Sequence, residues 1–218
     1  MRATLDGMWW ILRTGSQWNQ LPERFGKSNS VYRQHLRWAR SGMWEFVLGK
    51  LAEEGSDGSI RSVDATHIKA HQDACRHRSA PESQGLGKTK GGRNTKLHAV
   101  VDSLGKLLNI KVLPGNEHEV KSAAEVLGED LDGAIINGDK GYVSAELAAQ
   151  ILEAGGVPNI PPKKGAADPL PYHTELGKLR HVVENFFCRI KRSRRVATRY
   201  DRLTCTYLAF VILSALDD

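Results

Sequence analysis

The sequence predicts an α/β protein, a mixed sheet flanked by helices and preceded by a small all-helical region. Three observations carry this. Apolar residues recur at helical spacing over residues 1–57. The run Gly55-Ser56-Asp57-Gly58-Ser59 then breaks the pattern. Beyond it, strand patterns come first and then alternate with helices, an order that lays helices on the faces of a sheet. Two regions are expected, a helix-turn-helix-like one over 1–57 and a sheet domain over 58–218.

Taken in order, Leu5, Met8, Trp9 and Leu12 mark the first helix, and Thr14-Gly15-Ser16 stops it. Ser28 or Ser30 can cap a second helix to about Arg40, on which Arg33, Arg37 and Arg40 project. Met43 to Leu51 continues as a third. A helix pair of this kind reads DNA with its second helix, and a plain helical subdomain is the alternative. Ile60 to Ala70 alternates as a strand, and residues 72–94 are polar and glycine-rich, hence a loop. Thr95 to Ser103 and Leu107 to Leu113 are strands turning around Gly105. Glu119 to Leu127 is a helix, and Ala134-Ile135-Ile136 a buried strand. Ser144 caps a helix that Gly155-Gly156 ends, and Val157 to Ile160 is the last strand before Pro161-Pro162. One long helix is expected over Leu176 to Arg195, and another from Leu203 onward.

The chain has 218 residues and a net charge of +6. Its charge is blocked: residues 58–117 and 161–218 are basic, whereas 118–160 are acidic. Basic blocks suit a polyanion, of which nucleic acid is the commonest. The longest apolar run, Tyr207 to Leu213, is far short of the roughly 20 residues of a membrane span. Three scattered cysteines make no disulfide framework, and no leader pattern opens the chain, so a cytoplasmic protein with no membrane partner is expected.

Three acids stand out. Asp64 interrupts the apolar strand Ser62-Val63-Asp64-Ala65-Thr66, where an unpaired carboxylate is costly. Asp139 follows the buried strand in Asn137-Gly138-Asp139-Lys140-Gly141-Tyr142, at the edge where open α/β sheets place their sites. On the long helix, Val182, Val183, Phe186, Phe187 and Ile190 form the core stripe. Arg180, Glu184 and Lys191 border that stripe within an arc of about 40° at about 100° per residue. Taken singly, Asp64 and Asp139 read first as cap or turn residues, and Glu184 as half of an i,i+4 ion pair with Arg180. Together they have another use, because hard carboxylate oxygens bind Mg²⁺ or Mn²⁺. Two such ions can stabilise both oxygens of a phosphodiester displacement.

Cations surround them. Nine lie between Lys178 and Arg202, opposed only by Glu184 and Asp201. The run Arg192-Ser193-Arg194-Arg195 and the loop Gly87-Lys88-Thr89-Lys90-Gly91-Gly92-Arg93-Asn94-Thr95-Lys96 are phosphate-binding candidates. A Walker A reading of Gly87-Lys88-Thr89 fails, because Glu82 stands where the first glycine is required. The set His67, His71, Asp73, Cys75 and His77 matches no usual zinc spacing.

In combination, these motifs resemble the bacterial DDE transposases of the insertion-sequence five family. The resembling pieces include Ser62-Val63-Asp64-Ala65-Thr66 with Ala70-His71, the loop Lys90 to His98, and Leu113-Pro114-Gly115-Asn116. Gly138-Asp139-Lys140-Gly141-Tyr142, Arg180-His181-Val182-Val183-Glu184 and Lys191 to Asp201 follow. At the front stand Leu12-Arg13-Thr14-Gly15 and Leu21-Pro22-Glu23-Arg24-Phe25-Gly26. The resemblance implies an RNase H-like catalytic domain whose catalytic and metal-binding acids are Asp64, Asp139 and Glu184, holding two Mg²⁺ or Mn²⁺ ions. It implies metal-dependent cleavage of DNA at transposon ends, followed by 3′-hydroxyl strand transfer into target DNA. Arg180, Lys191, Lys88, Lys90, Arg93, Lys96, Arg192, Arg194, Arg195 and Arg199 are its expected DNA contacts. A homo-oligomer assembled on DNA is implied as well. The family's third block, Tyr-x2-Arg-x3-Glu-x6-Lys, is matched at Arg180, Glu184 and Lys191, but its tyrosine position is Gly177 here. The chain starts inside the family's first recognisable helix, so a shortened end-binding region is expected. The rival reading is an inactive copy that only binds DNA.

Overall fold

A computed structural model of the chain describes residues 1–55, 59–76, 84–165 and 169–216. Residues 56–58 of the sequence break, and Glu82 and His77, lie outside the described residues.

The sheet begins with β1 (Ile60–Ala70), the longest strand. β2 (Gly87–Thr89) and β3 (Gly92–Val101) form a hairpin, and β3 runs antiparallel to β1, pairing Asp64 with Ala99 and Ala65 with His98. β4 (Leu107–Pro114) turns back along the other edge of β3. After α4 (Glu119–Leu127), β5 (Ile135–Asn137) pairs in parallel with β1. After α5 (Ala145–Glu153), β6 (Val157–Asn159) pairs in parallel with β5. The path β4-β3-β1-β5-β6, with β3 alone reversed, is the RNase H-like arrangement.

Alternation along the strands builds two cores. Val63, Val100 and Ile136 face α4 and α5. Ile68, Leu97, Ala99 and Val101 face the opposite layer, α7 (His181–Ile190) and α9 (Thr204–Ala215). Period 2 puts Asp64 and Thr66 on the same side as Ile68, toward α7. The helix expected over Leu176 to Arg195 is three pieces: α6 (Thr174–Lys178), α7, and α8 (Arg194–Ala197). The first break falls at Leu179–Arg180 and the second at Lys191–Ser193, where Ser193 Oγ bonds Ser214 Oγ of α9 at 2.9 Å. The expected loop over residues 72–94 likewise gives way to β2 and the start of β3 from Gly87 onward.

The N-terminal helices α1 (Arg2–Thr14), α2 (Ser28–Arg40) and α3 (Met43–Gly55) add to the α9 side. Met8, Ile11, Leu12, Val31 and Trp44 share one continuous core with Phe186 and Phe210. His35 fixes the contact: its ring stacks on Phe210 with centroids 4.2 Å apart, and Nε2 bonds the Thr206 carbonyl at 3.2 Å. Arg33, Arg37 and Arg40 lie along the outer face of α2. Among the described residues, no helix is long and apolar enough to cross a membrane.

Candidate active site

Asp64 sits mid-strand, one side of its carboxylate capped by its own neighbour: the Ala65 amide donates to Oδ1 at 2.8 Å. Arg180 Nη1 donates to Oδ2 at 2.9 Å. Burial pushes the Asp64 carboxyl above the usual carboxylate range. The Ala65 amide and Arg180 pull it back, while the nearby Asp139 and Glu119 push it up. Asp139 stands just past the end of β5, and its Oδ1 caps a one-turn 3-10 helix, Lys140–Tyr142, by accepting from the Gly141 amide at 2.7 Å.

Glu184 lies in the first turn of α7, half exposed, with Oε1 2.6 Å from Arg180 Nη2. One guanidinium therefore spans Asp64 and Glu184. Lys191, one residue past α7, donates to Thr66 Oγ1 at 2.6 Å, and its own burial lowers its pKa. Arg180, Glu184 and Lys191 thus stand along the β1 face that carries Asp64 and Thr66.

A ladder of buried amides delivers α6 and α7 to this face. Asn159 Nδ2 donates to Asn137 Oδ1 at 2.7 Å, and Asn137 Nδ2 donates to the Leu176 carbonyl at 2.9 Å. Asn159 Oδ1 also accepts the His173 amide at 2.8 Å. These two asparagines end β5 and β6 and escaped the sequence reading. So did Tyr172: a side chain at Gly177 would collide with the Tyr172 hydroxyl. The family's tyrosine position is glycine here, and the ring of Tyr172 fills that space.

Glu119 was missed too. It opens α4, and its Oε1 pairs with Lys96 Nζ at 3.0 Å. That pair corrects an expectation. Lys96 is 5% exposed and also donates to the Glu117 carbonyl at 2.7 Å, so it is an internal strut and does not face a phosphate backbone. Two more expected DNA contacts are turned inward. Arg195, 6% exposed, forms a bidentate pair with Asp201, both contacts at 3.0 Å. Arg199 is fully buried and donates to the carbonyls of Gln84, Gly85 and Asp201 and to Thr95 Oγ1. A bidentate carboxylate or four acceptors meet the guanidinium's donors and offset its burial. Lys88, Lys90, Arg93, Arg192 and Arg194 are exposed.

The acid set has the chemistry of a hard-cation site. Asp139 and Glu119 both act on the partly buried Asp64 carboxylate, where Arg180 on Asp64 and Lys96 on Glu119 already balance part of the negative charge. As placed, Asp64, Asp139 and Glu184 do not yet converge: among the described residues no three His, Cys, Asp or Glu side chains form a metal-holding group. Of the zinc candidates, His71, Asp73 and Cys75 pair with one another locally. His71 Nδ1 pairs with Asp73 at 3.2 Å, and Cys75 Sγ donates to the His71 carbonyl.

Residues 55–169, more than half of the chain, match the family model described as "Transposase DDE domain". The chain belongs to the DDE transposase family. Residues 1–48 match a second family model, "Putative transposase of IS4/5 family". A Brucella ovis protein named "Putative transposase for insertion sequence element IS6501" is 32% identical over 123 residues, covering 55% of this chain and 93% of that protein. "Uncharacterized protein y4sN" of Sinorhizobium fredii is 36% identical over 92 residues, 42% of this chain and 66% of that protein. A Burkholderia cepacia protein, "Insertion element IS402 uncharacterized 16.2 kDa protein", is 36% identical over 76 residues, 32% of this chain and 52% of that protein. This DDE transposase chain thus spans from about half to nearly all of the relatives it matches. Among solved structures, "Mos1 transposase paired-end complex with left transposon end" aligns over 90% of this chain and 79% of that one, at 11% identity and a TM-score of 0.33.

Proposed function

We propose that this transposase cuts DNA at transposon ends and joins the freed end to target DNA, with Asp64, Asp139 and Glu184 as its catalytic acids. The observation that carries the reading is the single guanidinium of Arg180 on both Asp64 and Glu184, with Asp139 close enough to Asp64 to perturb it. Arg180 links Asp64 to Glu184, and Asp139 acts on Asp64 from the end of β5, which supports a shared role for acids remote in sequence. The donor set fits Mg²⁺ or Mn²⁺, and family membership implies divalent-metal dependence. When bound by these three carboxylates, two such ions supply charge neutralisation at the attacking and leaving oxygens.

The protein's own groups do the rest. Water attacks phosphorus at the transposon end and frees a 3′-hydroxyl and a 5′-phosphate. That hydroxyl then attacks a target phosphodiester in line, forming one P–O bond and releasing the other. No protein–DNA covalent bond is needed. Arg180, on Asp64 and Glu184, and Lys191, on Thr66 of the same strand face, hold the reacting phosphate in this reading. The exposed Lys88, Lys90, Arg93, Arg192 and Arg194 hold the strand backbone. The outer face of α2, with Arg33, Arg37 and Arg40, belongs to the end-binding region over residues 1–57. The work takes place in the bacterial cytoplasm on the nucleoid, in an oligomer that brings two ends together.

The test is cleavage and joining of end-containing DNA with Mg²⁺ or Mn²⁺, comparing the native chain with Glu184→Gln. Ends are taken from the repeats flanking the gene. Metal-dependent joined products, lost in the variant, support the reading. Cleaved but never joined DNA reduces it to a nuclease. DNA binding without chemistry in either protein makes this a binding-only copy and overturns it.

A further inference from the structure

A polar chain runs through the core between β3, α4 and the Asp139 turn. His98, on β3, is fully buried. Its Nδ1 lies 2.9 Å from Ser122 Oγ of α4, and its Nε2 lies 3.0 Å from the Tyr142 hydroxyl. Ser122 and Tyr142 are buried as well, at 3% and 0%. The donors can be assigned. Ser122 Oγ donates to the Glu119 carbonyl at 3.3 Å, so it accepts from His98 Nδ1–H. Nε2 is then the acceptor, and the Tyr142 hydroxyl donates to it. A single tautomer satisfies every member of the chain, ending at Glu119.

Its neighbours are Val63, Val100, Ala123 and Ile136, an apolar core that has no need of three hydroxyl and imidazole groups for packing alone. What the chain does hold is the turn that carries Asp139. The Tyr142 amide donates to the Asp139 carbonyl at 3.1 Å. The Tyr142 side chain lies against Gly138, where an added Cβ would come within 3.3 Å of Tyr142 Cβ, Cγ and Cδ2. Tyr142 is the peg of the turn from Gly138 to Tyr142, and its hydroxyl is that peg's polar anchor.

We propose that Ser122, His98 and Tyr142 are positioning residues that hold the Asp139 carboxylate at the angle needed to ligate a divalent cation. This rests on the assignment of Asp139 as a metal ligand. The anchor sets direction as well as contact: the hydroxyl fixes the ring, the ring fixes Gly138, and the turn aims Asp139. Groups bonded directly to a metal ligand change affinity about 10–100-fold when removed, and Tyr142, which acts on the turn and not on the carboxylate itself, is expected at the low end of that range.

The experiment is Mn²⁺ titration of the full chain by electron paramagnetic resonance, without DNA. It compares the native protein with Asp139→Asn, Tyr142→Phe and the double variant, each first checked for folding by circular dichroism. Tyr142→Phe keeps the ring and deletes only the hydroxyl. Expected are a clear loss in Asp139→Asn, about tenfold weaker binding in Tyr142→Phe, and no further loss in the double variant, because both act through one carboxylate. If Asp139→Asn weakens binding and a folded Tyr142→Phe does not, the positioning role is overturned while the ligand assignment stands. If Asp139→Asn binds Mn²⁺ like the native chain, the ligand assignment falls and the positioning role with it. Should Tyr142→Phe not fold, Ser122→Ala carries the same comparison from the other end, with several-fold weaker binding expected and unchanged binding overturning the role.

Discussion

Arg180 and Asp64 are 116 residues apart in sequence, yet Nη1 of the one lies 2.9 Å from Oδ2 of the other, while Nη2 reaches Glu184 at 2.6 Å. The guanidinium holds charge where carboxylates crowd. Removing it leaves Asp64 beside Asp139 and Glu119 with less balance. Arg180→Gln is expected to lower the melting temperature in EDTA by about 2–4 °C, equivalent to about 1 kcal/mol for a partly exposed pair. Because a divalent cation at the same acids substitutes for the lost charge, saturating Mn²⁺ should raise the variant's melting temperature more than the native protein's. Differential scanning fluorimetry with and without Mn²⁺ checks this, and an equal rise in both proteins counts against it.

Gly177 and Tyr172 make a second testable pair. Gly177 lies inside α6, where alanine is normally better by about 1 kcal/mol. Here the Tyr172 hydroxyl occupies the space a side chain needs. Gly177→Ala is therefore expected to destabilise the native chain. In a Tyr172→Ala background the same change should stabilise by up to about 1 kcal/mol. Urea midpoints of the four proteins measure the reversal of sign, and the same sign in both backgrounds refutes the packing.

Much of this arrangement was legible in the sequence, for identifiable reasons. Val63-Asp64-Ala65 and Ile136-Asn137-Gly138-Asp139 carry their strand context locally, so the place of each acid on or just past a strand could be read although its role alone could not. The helix capped by Ser144 obeys a local rule, and its hydroxyl accepts the Leu147 amide at 3.3 Å. Lys96, Arg195 and Arg199 were not separable from solvated cations, because burial is decided by partners such as Glu119, Ser16 and Thr95 that only the fold brings near. The break at Leu179–Arg180 has the same origin. Just before it the Leu176 carbonyl accepts from the Leu179 amide and from Asn137 Nδ2, the latter a contact spanning 39 residues. The His98 chain joins three elements and has no local signature at all.

Acid should loosen this protein through two buried imidazoles. Burial holds both His35 and His98 down to a pKa of about 4, against 6.5 for an ordinary histidine. Between these values the unfolded chain binds the proton and the folded chain does not, so stability falls as pH drops from 6.5 toward 4. Each ring contributes up to about 3 kcal/mol of this loss. Urea midpoints at pH 7, 5.5 and 4.5 should decrease in order, and the ring C–H resonances of both histidines should stay at their neutral positions at pH 5.5. A stability maximum below pH 5 contradicts the buried neutral state.

The last prediction separates arginines that hold the protein from those that hold DNA. Asp201→Ala leaves the Arg195 guanidinium buried without its bidentate partner, 94% removed from solvent by its 6% exposure. Stranding a buried charge costs about 3–5 kcal/mol, or roughly 10 °C of melting temperature in a chain of this size. Arg192→Ala and Arg194→Ala remove exposed side chains and should change stability by less than about 0.5 kcal/mol. In DNA binding the order reverses. Each exposed arginine that meets a phosphate should weaken binding across all sequences and reduce the salt slope by about 1. Fluorescence anisotropy over a salt series, run beside thermal melts, reads both quantities. A normal melt for Asp201→Ala would show that the pair is not holding the fold. An unchanged salt slope for both surface variants would remove Arg192 and Arg194 from the DNA path and leave that role to Lys88, Lys90 and Arg93 on the β2–β3 hairpin.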